Sequence, residues 1–224
     1  MFNMGDAGYD RTIMYSPDGR VIQVEYAREA VRRGNSIVAI KTKDGIVMLA
    51  ESRSHSKLFE PTEKISQIDD NIYVTFSGLL ADSRVLINES RVFVQIHKIT
   101  YGEECDVETL AWHISKIAQQ ITQFGGRPFG LTLVIAGISN SEPKLDVVEP
   151  SGAKFEVKAI AIGRNDEALM KHLEDNYRED MNLEETRALA EEAFTKVNTD
   201  QNNYELMVMN LQTHDIERTL VTPS

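Results

Sequence analysis

Apolar residues change their spacing several times along the chain, and each change marks an element. Val21, Val24, Ala27 and Val31 recur at threes and fours, as do Ile22, Tyr26 and Ala30, which predicts an amphipathic helix over residues 21–33. Arg32 and Arg33 suit its C-terminal dipole, and Gly34 follows as a stop. Residues 36–42 alternate, Lys43-Asp44-Gly45 gives a turn, and 46–50 is an apolar run, which together predict a hairpin. Two short strands follow at 64–68 and 72–76, joined by Asp69-Asp70-Asn71. A long helix is predicted over 79–98, with Leu86, Phe93 and Ile96 plus Val85, Val92 and Ile99 as its apolar stripe. A second helix spans 107–124, with Leu110, Ile114, Ile117 and Ile121 on one face, and Gly125-Gly126-Arg127-Pro128 breaks it. Strands return at 131–138, 144–149, 153–157 and 159–162, then helices at 166–177 and 183–195, then strands at 205–210 and 216–220.

The order is strands, two helices, strands, two helices, strands. Hairpin turns dominate, so two mainly antiparallel sheets are expected, each covered by a helix pair. That is an α+β chain in four layers, α/β/β/α, with an extra N-terminal helix. No low-complexity linker or repeat divides it, so residues 1–224 read as one domain.

Composition narrows the chemistry. Charged residues are 26% and the net charge is −11, so phosphate backbones and anionic membrane surfaces are poor partners. A single cysteine, Cys105, excludes an intrachain disulfide and a cysteine cluster for zinc. No apolar run is long enough to span a bilayer, and none at the start resembles a signal peptide, so a cytoplasmic protein is expected. His55, His97, His113, His172 and His214 show no metal-ligand spacing, and no cofactor motif occurs. His97 and His113 read as surface residues. Gly163-Arg164 opening a helix hints at an anion site, with a tight strand-to-helix turn as the stronger reading. From these residues alone no active site emerges.

The start of the chain adds more. Gly8-Tyr9-Asp10-Arg11, Tyr15-Ser16-Pro17-Asp18-Gly19-Arg20 and Gln23-Val24-Glu25-Tyr26-Ala27-Arg28-Glu29-Ala30-Val31 resemble the N-terminal signature of proteasome alpha subunits, most like the archaeal type. The resemblance continues through Glu63-Lys64-Ile65, Ser77-Gly78-Leu79, Arg127-Pro128-Phe129-Gly130 and Pro150-Ser151-Gly152-Ala153, and fades after Lys196. It implies the four-layer sandwich of the N-terminal-nucleophile hydrolases, with residues 1–20 as a gate segment, 21–33 as a leading helix and 35–224 as the sandwich. Catalysis in that superfamily needs a chain-terminal nucleophile whose own amine activates it. Aligning the hairpin on Lys43-Asp44-Gly45 and Ala50-Glu51 puts that place at Asn35, or at Ser36 with a one-residue slip, and neither is terminal.

The resemblance therefore implies a protein that does not cut. It places Tyr9, Asp10, Arg11, Pro17 and Tyr26 in the gate. It places Lys64, Gly78, Leu79 and Glu25 at a docking site for activator tails, with Glu25 and Arg28 placed to pair within or across subunits. Phe124, Gly125, Gly126, Arg127 and Pro128 would form the pore loop. Implied partners are further copies in a heptameric ring, beta subunits, the C-terminal tails of a regulatory ATPase ring and unfolded protein in transit. No cofactor, metal, nucleic acid or membrane is implied. The competing readings are a self-processing peptidase using Ser36 and a free-standing ring without beta subunits. Three loop regions depart from the family's pattern: 9–16, the segment before Lys64, and the Gly126-Arg127 junction.

Overall fold

The computed structural model describes residues 14–52, 58, 63–197 and 203–221. The chain runs α1 (Ile22–Arg32), β1 (Ile37–Thr42), β2 (Gly45–Ser52), β3 (Ile65–Asp69), β4 (Ile72–Gly78), α2 (Leu80–Tyr101), α3 (Val107–Gln123), β5 (Leu131–Ser139), β6 (Glu142–Val148), β7 (Lys154–Glu156), β8 (Ala159–Ile162), α4 (Asp166–Asn176), α5 (Leu183–Val197), β9 (Asn203–Asn210) and β10 (Ile216–Val221). Two five-stranded sheets result, ordered β10-β9-β2-β1-β8 and β3-β4-β5-β6-β7, with antiparallel pairing throughout.

Strand side chains sort by parity. Ile37, Ala39, Met48 and Ala50 face Tyr73, Val134, Ala136 and Leu145 between the sheets. Val38, Ile40, Val47 and Leu49 point the other way, onto Leu169, Leu173, Leu189 and Phe194 of α4 and α5. Ile72, Val74, Phe76 and Leu133 take Leu86, Val94, Leu110 and Ile114 of α2 and α3. Burial on both faces is why these strands read as continuous apolar runs. Local caps fix the helix starts. Asp106 accepts the Thr109 N–H at 2.6 Å ahead of α3, and Asn182 and Glu185 cap each other's backbone ahead of α5.

One expectation needs correction and another needs extending. The stripe predicted for α2 merges two faces. Leu86, Ile87, Ser90 and Val94 are buried, whereas Val85, Val92, Ile96 and Ile99 are exposed, Ile99 by 84%. At 3.6 residues per turn these sets lie on opposite sides of the helix. The extension concerns Gly34, which does follow the helix as read, just past the Arg33 cap at φ −89°. It also allows close approach: a Cβ there would lie 2.3 Å from Ser77 Oγ and 2.4 Å from Gly78 N. The helix end is thereby pressed onto β4.

Candidate functional site

The position where a nucleophile would stand is a closed knot. Ser36 is fully buried. Its N–H donates to Glu51 Oε2 at 3.0 Å, and its hydroxyl donates to the Arg164 carbonyl at 2.7 Å. Asn35 Nδ2 donates to the Glu51 carbonyl, and the Asn35 carbonyl accepts from Ser77 Oγ at 2.9 Å. Arg164 grips the buried Glu51 carboxylate through Nη2 at 2.8 and 2.7 Å. The tight-turn reading of Gly163-Arg164 therefore stands, and the arginine is committed to Glu51. In the sequence Glu51 is only a register mark for the hairpin; its charge partner lies 113 residues away, beyond the reach of any local pattern.

The turn over residues 16–20 is well formed. Gly19 N–H donates to the Ser16 carbonyl at 2.8 Å, and Arg20 N–H reaches the buried Ser16 Oγ at 3.2 Å, closing the turn around Pro17. Pro17 is exposed, as are Tyr15 and Tyr26. The turn, α1 and the end of α3 enclose a cleft of about 730 Å³ lined by Tyr15, Arg20, Val24, Arg28, Gln119 and Ser151. Tyr9, Asp10 and Arg11 lie outside the described residues. Glu25 pairs with Arg20, whose hydrogen bond holds its carboxyl below the ordinary range. Arg28 pairs with Glu149 at 2.8 Å. Each thus takes another partner, and the Glu25–Arg28 pair expected within the chain does not form. No hydrogen bond or ion pair among the described residues links Glu25 to Lys64.

Lys64 precedes β3, half-buried, with Nζ 5.0 Å from the centre of the Phe76 ring. Burial pulls its pKa below the ordinary lysine value, and Glu205 and Glu51 oppose that pull. Glu205 reaches across from the other sheet and accepts both the Lys64 and Ile65 N–H groups at 2.9 Å. Arg218 adds a second bridge, to Glu63 at 2.6 Å. Two residues beyond Phe76, Gly78 meets Gly130 so closely that a Cβ would lie 2.1 Å from the Gly130 carbonyl. The Leu79 N–H donates to that carbonyl at 2.9 Å.

In the 124–130 loop, Phe124 is 79% exposed. Gly126 N–H closes the helix end on the Ile121 carbonyl at 2.8 Å. Pro128 is buried and so faces inward, unlike Phe124 and Arg127. Arg127 makes a two-pronged pair with Asp82, which in the sequence is merely one acid in a helix's first turn. The Arg127 hydrogen bond holds the Asp82 carboxyl below the ordinary range.

Other candidates carry less. Cys105 is buried, and burial pushes its thiol up to about 12, which makes a nucleophilic role untenable. His113 and His97 are not plain surface residues. His113 stacks on Phe93 at 3.8 Å and bonds Glu89 at 3.0 Å, and His97 packs between Phe93 and Tyr101. No group of metal-ligating residues gathers among the described residues, and no described helix is long and apolar enough to cross a membrane.

Comparison with known proteins fits this geometry. Residues 31–209 match the family described as "Proteasome subunit", and residues 9–30 match the N-terminal signature of its alpha-type members. The chain is 50% identical to the proteasome alpha subunit of Methanocaldococcus jannaschii over 198 residues, 87% of this chain and 76% of the relative. It is 50% identical to that of Pyrococcus abyssi over 194 residues, 85% of this chain and 74% of the relative. It is 46% identical to that of Haloquadratum walsbyi over 197 residues, 86% and 79%.

Proposed function

This chain belongs to the proteasome alpha-subunit family, and from that premise we infer that it is a non-catalytic, ring-forming component of a proteasome core particle. It assembles with beta subunits that supply the threonine nucleophile. Its own ring controls the passage of unfolded protein into the proteolytic chamber. The expected ring is a heptamer in the cytoplasm.

One observation carries the absence of catalysis. The nucleophile's place lies inside the chain, behind α1, and its groups are already bonded. Asn35 has no hydroxyl, and the Ser36 hydroxyl is spent on the Arg164 carbonyl. An attacking group of this class needs a free hydroxyl beside a free terminal amine, and neither is present at Ser36. That opposes the self-processing reading.

The gate reading draws on Pro17 and Tyr26, exposed beside a rigid turn, where a stiff backbone and a broad aromatic surface suit contact with a neighbouring copy. Tyr9, Asp10 and Arg11 complete it by resemblance. The docking reading rests on Lys64, Gly78 and Leu79. The lysine is a point charge for a tail carboxylate; the side-chain space at Gly78 is taken by the Gly130 carbonyl, so the exposed Leu79 beside it offers the apolar contact. Glu25, held by Arg20, borders the gate more than the docking groove. Phe124, Gly125 and Arg127 form the exposed rim of the pore loop.

Intact mass and peptidase assay test the whole reading. The purified chain should keep α1 and cleave no peptide alone. Activity should appear only with a threonine-nucleophile beta subunit, and electron microscopy should show rings. A mature chain beginning at Ser36 would sink it, and so would a monomer in both conditions.

A further inference from the structure

Asp82 joins two places that the functional reading treats as separate. On one side its carboxylate holds Arg127 of the pore loop through both Nη atoms, at 2.9 and 2.8 Å. On the other, its Oδ2 accepts the buried Gly130 N–H at 2.8 Å. Gly130 packs against Gly78 and Leu79, two residues of the docking reading. Its carbonyl accepts the Leu79 N–H, it lies in contact distance of Gly78, and the Leu79 side chain covers it. A ligand seated on Gly78 and Leu79 therefore bears on Gly130. Gly130 cannot move without straining the carboxylate that also holds Arg127.

The location favours a firm link. Asp82 is only 7% exposed and sits in the first turn of α2, where the helix dipole suits an anion. Hydrogen bonds from a guanidinium in two-point geometry are among the stronger ones and fix direction as well as distance. An exposed ion pair would yield readily; one anchored on a buried acid that also holds a backbone N–H does not.

We propose that Asp82 is a positioning residue through which a peptide carboxylate docked at Lys64, Gly78 and Leu79 acts on the pore loop over residues 124–130. The inference rests on the docking reading above. Its partner is a peptide ending in a free carboxylate, and its effect is to stiffen or shift the loop without touching it.

Backbone hydrogen exchange on the full-length chain tests this, using a short synthetic apolar peptide with a free C-terminal carboxylate and its amidated twin. In the unaltered chain the acid peptide should slow exchange at Gly78 and Leu79 by roughly a hundredfold when present at about 100 times its Kd. It should also slow Gly126 and Gly130 by about tenfold or more. The amidated twin and the Lys64→Ala variant should show neither effect. In Asp82→Asn the slowing at Gly78 and Leu79 should remain, and the slowing at Gly126 and Gly130 should vanish. A purely structural Asp82 would change the resting exchange of the loop but leave its response to peptide intact. Arg127→Lys provides a second variant at a largely exposed side chain. It keeps the charge and gives up the two-point grip, so the loop's response should fall there too. A loop that still responds in both variants overturns the relay and leaves docking standing. Failure of the acid peptide to bind the unaltered chain, or equal binding to Lys64→Ala, overturns docking and the relay with it.

Discussion

At the scale of single residues, charge has been placed where burial makes it costly. Lys64 is the clearest case. Burial disfavours its ammonium in the folded chain more than Glu205 and Glu51 favour it. Its folded pKa is depressed, so the unfolded chain holds that proton more tightly. The cost is in full force at neutral pH and fades as pH rises through the folded value toward the ordinary lysine range. Lys64→Met should therefore raise the thermal midpoint at pH 7 by about 2–4 °C while removing capture of a carboxylate-ended peptide. Calorimetry and a binding titration check the two halves, and a lowered midpoint would show that the two glutamates outweigh burial. The Glu63-Lys64-Ile65 match singles out Lys64 in the sequence. What holds it is not legible there, because Glu205 lies 141 residues away on another sheet. Asp82 was missed for the same reason: an acid in a helix's first turn needs no partner to explain it, and Arg127 is 45 residues distant.

At the scale of elements, the order and kind of helices and strands could be read almost whole, and their faces less well. Alternation identified the hairpin of β1 and β2 because turn chemistry and apolar runs agreed there. On α2 the same method failed, since apolar residues occur on two opposite faces and a linear pattern cannot say which one the sheet takes. Gly34 shows a related limit. A glycine after a helix reads as a stop, yet here its small size lets α1 press against Ser77 and Gly78. Gly34→Ala forces a Cβ into backbone and hydroxyl at once and should cost roughly 1–3 kcal/mol in urea unfolding. An unchanged midpoint would mean that α1 lifts from β4 without penalty, and the turn over residues 16–20 would then lack a fixed base.

At the scale of the whole molecule, the four layers followed from element order, but the neighbours within each sheet did not. Nothing local announces that β9 inserts between β10 and β2, or that β8 closes the far edge beside β1. Ser36 and Glu51 already face each other across the β1–β2 hairpin, and the long-range β1–β8 pairing brings Arg164 to them. The knot should behave as one unit. Arg164→Ala removes the guanidinium that grips the buried Glu51 carboxylate and should destabilise the chain by about 3 kcal/mol. Replacing Glu51 and Arg164 together by leucine should recover most of that loss in the same unfolding assay. Equal damage from the double and single variants would show that the pair holds more than its own charge. The outward stripe of α2, Val85, Val92, Ile96 and Ile99, has a consequence of a different kind. Exposed apolar strips of this extent are tolerated when something covers them, so the stoichiometry of synthesis matters. A copy whose stripe stays bare should be adhesive. Sulfate-type salts, which favour burial, should turn a solution of surplus copies turbid well before one in which every copy has found its place.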